Sequence, residues 1–242
     1  MSITLKPTLI QKILAWGVHL FTASGLLAGF MALLAMQDRD VREAMLWLIL
    51  AFIIDGVDGT FARRFRVKEV LPYMDGKTID YVVDFVNFAV VPAYIFYQSS
   101  LVQDILALPL TALILLVSTI YYGKSDMVSE DKYFIGFPVL WNIVVYYLIF
   151  IFAWPDWLNA CTIIFFAVAH FVPLKYIYPS QAQRWKLASS IIAALFFMLM
   201  CITVYLYPER NFWLSTLSVL AWFYFAALTF LEQWGPPQKA KV

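Results

Sequence analysis

Four aspartates carry the chemistry that this sequence offers. Asp55 and Asp58 stand near the end of one apolar run, and Asp80 and Asp84 near the start of the next. A charge inside such a run costs about 2.5–3.5 kcal/mol on insertion scales and usually marks function. The other acids fall almost entirely in polar connections or at the ends of apolar runs. Asp55, Asp58, Gly59 and Ala62 follow i, i+3, i+4, i+7 spacing, which is one helical face, and Gly76, Asp80 and Asp84 follow i, i+4, i+8. Turned toward each other on adjacent antiparallel helices, the two faces would form a crevice of carboxylate oxygens. Oxygen-only donors suit hard cations such as Mg²⁺ or Mn²⁺. Two ions about 3.5–4 Å apart would stabilise the attacking and leaving oxygens of a phosphoryl transfer. A carboxylate left partly free would take the proton of an acceptor hydroxyl. Asp55, Asp58, Asp80 and Asp84 are the expected ligands, and Asp84, deepest in its run, the expected proton acceptor. Gly59 and Ala62 remove bulk between the acids, and Arg63 offers a two-pronged grip on phosphate.

The elements that must position these residues are membrane helices. The chain has 242 residues, 63% hydrophobic and 14% charged, against about 45–50% apolar in ordinary soluble domains. A transmembrane helix needs roughly 20 mostly apolar residues. Eight such stretches are expected, at 13–36, 41–62, 77–98, 105–122, 136–153, 158–174, 187–207 and 211–231. The fold class is therefore an all-α integral-membrane bundle, a single domain over 1–242 without an internal repeat. No cleavable signal peptide is expected, because the first apolar run is too long. Cys161 and Cys201 lie in apolar runs without metal-ligand spacing and are expected to be inert. With the N-terminus in the cytoplasm, all but Arg39, Arg42 and Arg210 of the 17 basic residues fall on the cytoplasmic side, as the positive-inside rule requires. Both termini and the acid-rich stretch then face the cytoplasm.

The stretch from Asp55 to Asp84 resembles the CDP-alcohol phosphotransferase signature, D-x-x-D-G-x-x-A-R … G-x-x-x-D-x-x-x-D. Asp55, Asp58, Gly59, Ala62, Arg63, Gly76, Asp80 and Asp84 fill every signature position. One departure is a longer connection between Arg63 and Gly76, which leaves Tyr73 without a counterpart. The resemblance implies metal ligation by Asp55, Asp58 and Asp80, with Asp84 as ligand and proton acceptor. It implies donor contacts from Gly59, Ala62, Arg63 and Gly76. It also implies that His19 and Thr22, in the first span, line the nucleotide site. Family members are often homodimers, so a homodimer is also expected.

Longer stretches narrow the acceptor. His19–Gly25, Lys124–Asn142 and His170–Pro179 are similar to bacterial members of the family that join CDP-diacylglycerol to choline. That similarity implies an inner-membrane enzyme of phospholipid synthesis with no nucleic-acid partner. Phe134, Gly136 and Pro138 are also similar to an element of serine-accepting members, so serine stands as the alternative acceptor. A quaternary ammonium has no N–H donor and is held by aromatic faces and acids. The cytoplasmic half offers Tyr121, Tyr122, Trp141, Tyr176 and Tyr178 beside Asp126; an interfacial aromatic belt is the plainer explanation for any one of them. Tyr122, Lys124, Asp126, Asn142 and Tyr178 are the expected acceptor-site residues. A different class, a cation or choline transporter relaying through the buried acids, would release no CMP from CDP-diacylglycerol. The missing inverted repeat counts against it.

Overall fold

The structure is a computed structural model that describes residues 7–129, 133–176 and 186–233. The described residues form nine helices: α1 (Leu9–Gln37), α2 (Val41–Arg64), α3 (Val67–Val70), α4 (Gly76–Gln98), α5 (Asp104–Tyr122), α6 (Trp141–Ile151), α7 (Asp156–Ala169), α8 (Lys186–Leu206) and α9 (Phe212–Gln233). Two short strands, β1 (Phe134–Ile135) and β2 (Lys175–Tyr176), pair antiparallel with Phe134 opposite Tyr176.

Six helices, α1, α2, α4, α5, α8 and α9, are long and apolar enough to cross a membrane. The all-α membrane class stands, with two two-residue strands as its sole addition among the described residues, and the eight expected spans are reduced there to six. The fifth and sixth expected spans are shortened into α6 and α7. At 1.5 Å per residue neither helix alone covers a hydrocarbon core of about 30 Å. The cause is local. Gly136 sits at φ 89°, where its N–H reaches the Leu174 carbonyl at 2.9 Å, and the Phe137 N–H reaches the Ala169 carbonyl at 2.9 Å. A Cβ on residue 136 would collide with the His170 carbonyl. The chain therefore enters α6 and leaves α7 through a hydrogen-bonded ribbon rather than through helix.

α1 begins at a reciprocal cap. The Gln11 N–H donates to the Thr8 hydroxyl at 3.3 Å, and the Thr8 N–H donates to Gln11 Oε1 at 2.8 Å. Such boxes satisfy N–H groups that the first turn leaves open. One face of α1 is small and buried: Ala15, Thr22, Gly25, Ala28, Gly29 and Ala32. The other, with Ile13, Leu20, Leu27 and Phe30, is exposed and suits lipid. Without a hydrophobic drive between helices in lipid, close backbone approach at small residues drives packing. Gly25 and Gly29 serve that purpose. A Cβ on Gly25 would lie 2.9 Å from Val83 Cγ1, and one on Gly29 would overlap the Asn87 amide. Asn87 Nδ2 donates to the Gly25 carbonyl at 2.9 Å, a class of bond worth about 0.6 kcal/mol and up to about 1.7. This seam sets α4 against α1.

α4 starts at Asp75, which accepts from the Lys77 N–H at 3.1 Å and from the Thr78 hydroxyl at 2.8 Å. It widens into a π-type turn over Val86–Val90. Pro92 follows, and it lacks an N–H and would crowd the Phe88 carbonyl in a regular helix. The wider turn relieves that conflict and is a common mark of functional helices. The core lies between α4, α5 and α6, where Phe96, Ile114, Tyr121, Trp141, Tyr146 and Phe150 are fully buried. Cys161 is exposed and Cys201 partly so, both as free thiols.

Candidate functional site

α2 and α4 bring three of the expected ligands to one point. One carboxylate oxygen from each of Asp55, Asp80 and Asp84 lies within 4.8 Å of the others, all three residues half-buried. Among the described residues no Lys or Arg is paired with them; the ion pairs are Arg66–Glu69 and Lys124–Asp126. At such spacing each fully charged pair repels by roughly 3–4 kcal/mol at an effective dielectric of 20. A divalent cation removes that repulsion, and an all-oxygen donor set fits Mg²⁺ or Mn²⁺.

Asp58 does not join this trio. It is buried and faces the Thr22 hydroxyl and the Arg63 guanidinium. Asp58 still lies close enough to act on the charges of Asp55, Asp80 and Asp84, so it borders the trio on the side of Thr22 and Arg63. Of the four expected ligands, Asp55, Asp80 and Asp84 meet within 4.8 Å, and Asp58 stands beside them. The spacing rule fixes the face of a helix, not which of two neighbours each residue on that face meets.

The signature's other positions have distinct surroundings. A Cβ on Gly59 would sit 3.3 Å from Arg63 Nη1, so the missing side chain gives the guanidinium room to lie against α2. Arg63 Nη2 donates to the Thr60 hydroxyl at 3.1 Å. A Cβ on Gly76 would sit 3.2 Å from His19 Cε1, so Gly76 admits the His19 ring to the start of α4. His19 is buried and its Nε2 has no partner. Ala62 packs against a small apolar cluster of Ala15, Val18, Val67, Val70 and Leu71. That cluster folds the long connection onto α1 through α3, and Tyr73 stands exposed beyond it.

The expected acceptor residues scatter. Tyr122 faces the three carboxylates and meets Tyr81 and Phe85 edge-on, with ring centroids 5.9 and 5.8 Å away. Lys124 is occupied elsewhere: Nζ donates to the Ile135 carbonyl at 3.4 Å, lies 3.9 Å from Asp126, and sits 5.4 Å over the Tyr121 ring. Asn142 is buried on the first turn of α6 with Oδ1 unpartnered. Tyr178 lies outside the described residues. Tyr121 and Trp141 are fully buried against His170, which stacks on Trp141 at 5.2 Å and 16°. Tyr81, Phe85 and Asn87 escaped the sequence reading. The i, i+4 pair Tyr81/Phe85, one step beyond Asp80/Asp84, was the available signal.

No family model matches the chain. Curated relatives do. Phosphatidylcholine synthase of Pseudomonas aeruginosa is 36% identical over 185 residues, 76% of this chain and 77% of that protein. That of Agrobacterium fabrum is 31% identical over 231 residues, 95% of each. The chain belongs to the phosphatidylcholine synthase family. The family's Legionella pneumophila member is 32% identical over 249 residues, covering 98% of this chain and 96% of its own. Agreement over such length spans α1 to α9, well beyond the aspartate signature. It places the chain among the CDP-alcohol phosphotransferases that the signature resembles.

Proposed function

We propose that this chain transfers the phosphatidyl group of CDP-diacylglycerol to choline and releases CMP. The choline oxygen forms a bond to the phosphorus that carries the diacylglycerol. The bond from that phosphorus to the oxygen of CMP breaks, and CMP leaves with that oxygen. The hydroxyl proton passes to Asp84. The carrying observation is the convergence of Asp55, Asp80 and Asp84 in a chain whose full-length relatives are phosphatidylcholine synthases.

Asp55, Asp80 and Asp84 would hold a divalent cation, with Asp58 and a second ion completing the donor site. Bound there, Mn²⁺ or Mg²⁺ supplies neutralisation for the diphosphate. Arg63, over Gly59, takes a diphosphate oxygen. His19 and Thr22, at the start of α4 and beside Asp58, line the cytidine side. The donor's tails need an apolar path. A groove of about 270 Å³ lies between α1 and α4, lined by Ala23, Leu26, Thr78, Ile79, Val82 and Val83. It runs along the turns of α4 that carry Asp80, and it suits an acyl chain arriving sideways from the bilayer. In this reading the protein sits in the bacterial inner membrane with its termini and its site on the cytoplasmic side.

The test is direct. Purified protein is given CDP-diacylglycerol, Mn²⁺ and one acceptor at a time: choline, serine or glycerol 3-phosphate. Choline-dependent CMP release with phosphatidylcholine as product is expected. Product with serine alone would reassign the acceptor, and no CMP with any acceptor would remove the transferase reading.

A further inference from the structure

We propose that Tyr81, Phe85 and Tyr122 form the corner that receives the acceptor's trimethylammonium group and selects it over acceptors with N–H donors. This rests on the transfer reaction proposed above. The rings meet where α4 crosses α5. Tyr81 and Phe85 stand four residues apart, each next in sequence to an acid of the site, Asp80 and Asp84. Tyr122, at the last turn of α5, packs its ring against both, at 64° and 86° between planes. Phe85 and Tyr122 also pack against the core, so the open ring surface of the corner is chiefly that of Tyr81. Tyr81 is 40% exposed, and Phe85 and Tyr122 are half-buried. The aromatic group around His170 differs, because Tyr121 and Trp141 are 1% and 0% exposed and offer no free face.

The chemistry fits one class of headgroup. A quaternary ammonium cannot donate a hydrogen bond and is bound by ring faces within about 6 Å. A primary ammonium needs acceptors for its N–H groups, and aromatic faces answer that need poorly. α5 carries no Lys or Arg that would repel a cation. Choline is short, so with its hydroxyl at Asp84 its nitrogen would stay near the side chains beside that acid, and Tyr122 faces Asp84, Asp55 and Asp80. The acids themselves draw any cation, but only the rings distinguish a methylated one.

The experiment compares wild type, Tyr81→Leu, Phe85→Leu and Tyr81→Phe as full-length protein in detergent. It measures KM for choline, KM for CDP-diacylglycerol, and the preference for choline over its uncharged isostere 3,3-dimethyl-1-butanol. Tyr81→Leu and Phe85→Leu should raise the choline KM about 10-fold and shrink that preference by a similar factor. The CDP-diacylglycerol KM should stay unchanged, and Tyr81→Phe should restore most of the loss. An active Tyr81→Leu protein with wild-type choline KM and preference would overturn the corner, as would equal rises in both KM values. A wild-type protein without choline-dependent CMP release would instead defeat the transfer reaction, and this proposal with it.

Discussion

Asp84 and Asp58 look alike in the sequence, yet their surroundings assign them different work. Asp84 shares its space with Asp55 and Asp80, whereas Asp58, at the edge of that cluster, also meets Thr22 and Arg63. Asp84→Asn keeps the shape and removes the proton acceptor. Its expected effect is a fall in turnover of about 10²–10⁴, with CDP-diacylglycerol still bound in an equilibrium assay. Full turnover in that variant would dismiss Asp84 as the base. Asp58→Asn should act chiefly on donor affinity, read as a raised KM for CDP-diacylglycerol. The identity of the acids was legible because each costs energy in an apolar run and so stands out. The period placed the acids on facing helix sides, but a one-dimensional pattern could not say that the Thr22 hydroxyl of α1 would also reach Asp58. Gly59 read as a loss of bulk between the acids, and a Cβ there would lie 3.3 Å from the Arg63 guanidinium.

At the level of elements, the α1–α4 seam decides where the site lies. Gly29→Ala drives a methyl into the Asn87 amide and should lower the melting temperature and activity together. Gly17, on the same helix, has open space around its Cα. Gly17→Ala should be neutral or gain up to about 1 kcal/mol of helix propensity. Equal damage from the two would refute the seam. The cap of α4 gives a second handle. The Thr78 hydroxyl, and then the Lys77 N–H, hold the Asp75 carboxyl below the usual carboxylate range. The cap therefore contributes fully above the ordinary carboxylate pKa and is lost as pH falls through the lowered one. Asp75→Ala should fray the first turn of α4 at neutral pH, seen as faster amide exchange at residues 77–79, with a partial loss of turnover. Helix existence was plain in the sequence from length and apolarity. The shortening of α6 and α7 was not, because the constraint is Gly136 meeting the His170 carbonyl, a contact between segments far apart in the chain.

Taken whole, the molecule is a bundle in which α1, α2 and α4 carry the polar groups of the site. α8 and α9 present wide apolar surfaces such as Leu187, Tyr205, Phe212 and Trp213. The pair α6 and α7 enters and returns through the same ribbon, and the proposed orientation puts the α2–α4 connection on the cytoplasmic side. With Cys161 and Cys201 replaced by serine, a cysteine at Glu69 should react with a membrane-impermeant thiol reagent only after the cells are opened. One at Asp38 should react in intact spheroplasts. The reverse pattern would invert the orientation.

The trio of unpaired carboxylates has a consequence for the protein's durability. Among the described residues no basic side chain quiets this acidic cluster, so an ion held there would also fasten α2 to α4. Ligand held at a hundred times its dissociation constant adds about 2.7 kcal/mol to a native state. Preparations stripped by chelator should unfold at lower temperature than the same protein with Mn²⁺ restored, even with no substrate present. The cell's supply of divalent cations would then govern the lifetime of this enzyme in the bilayer as well as its rate.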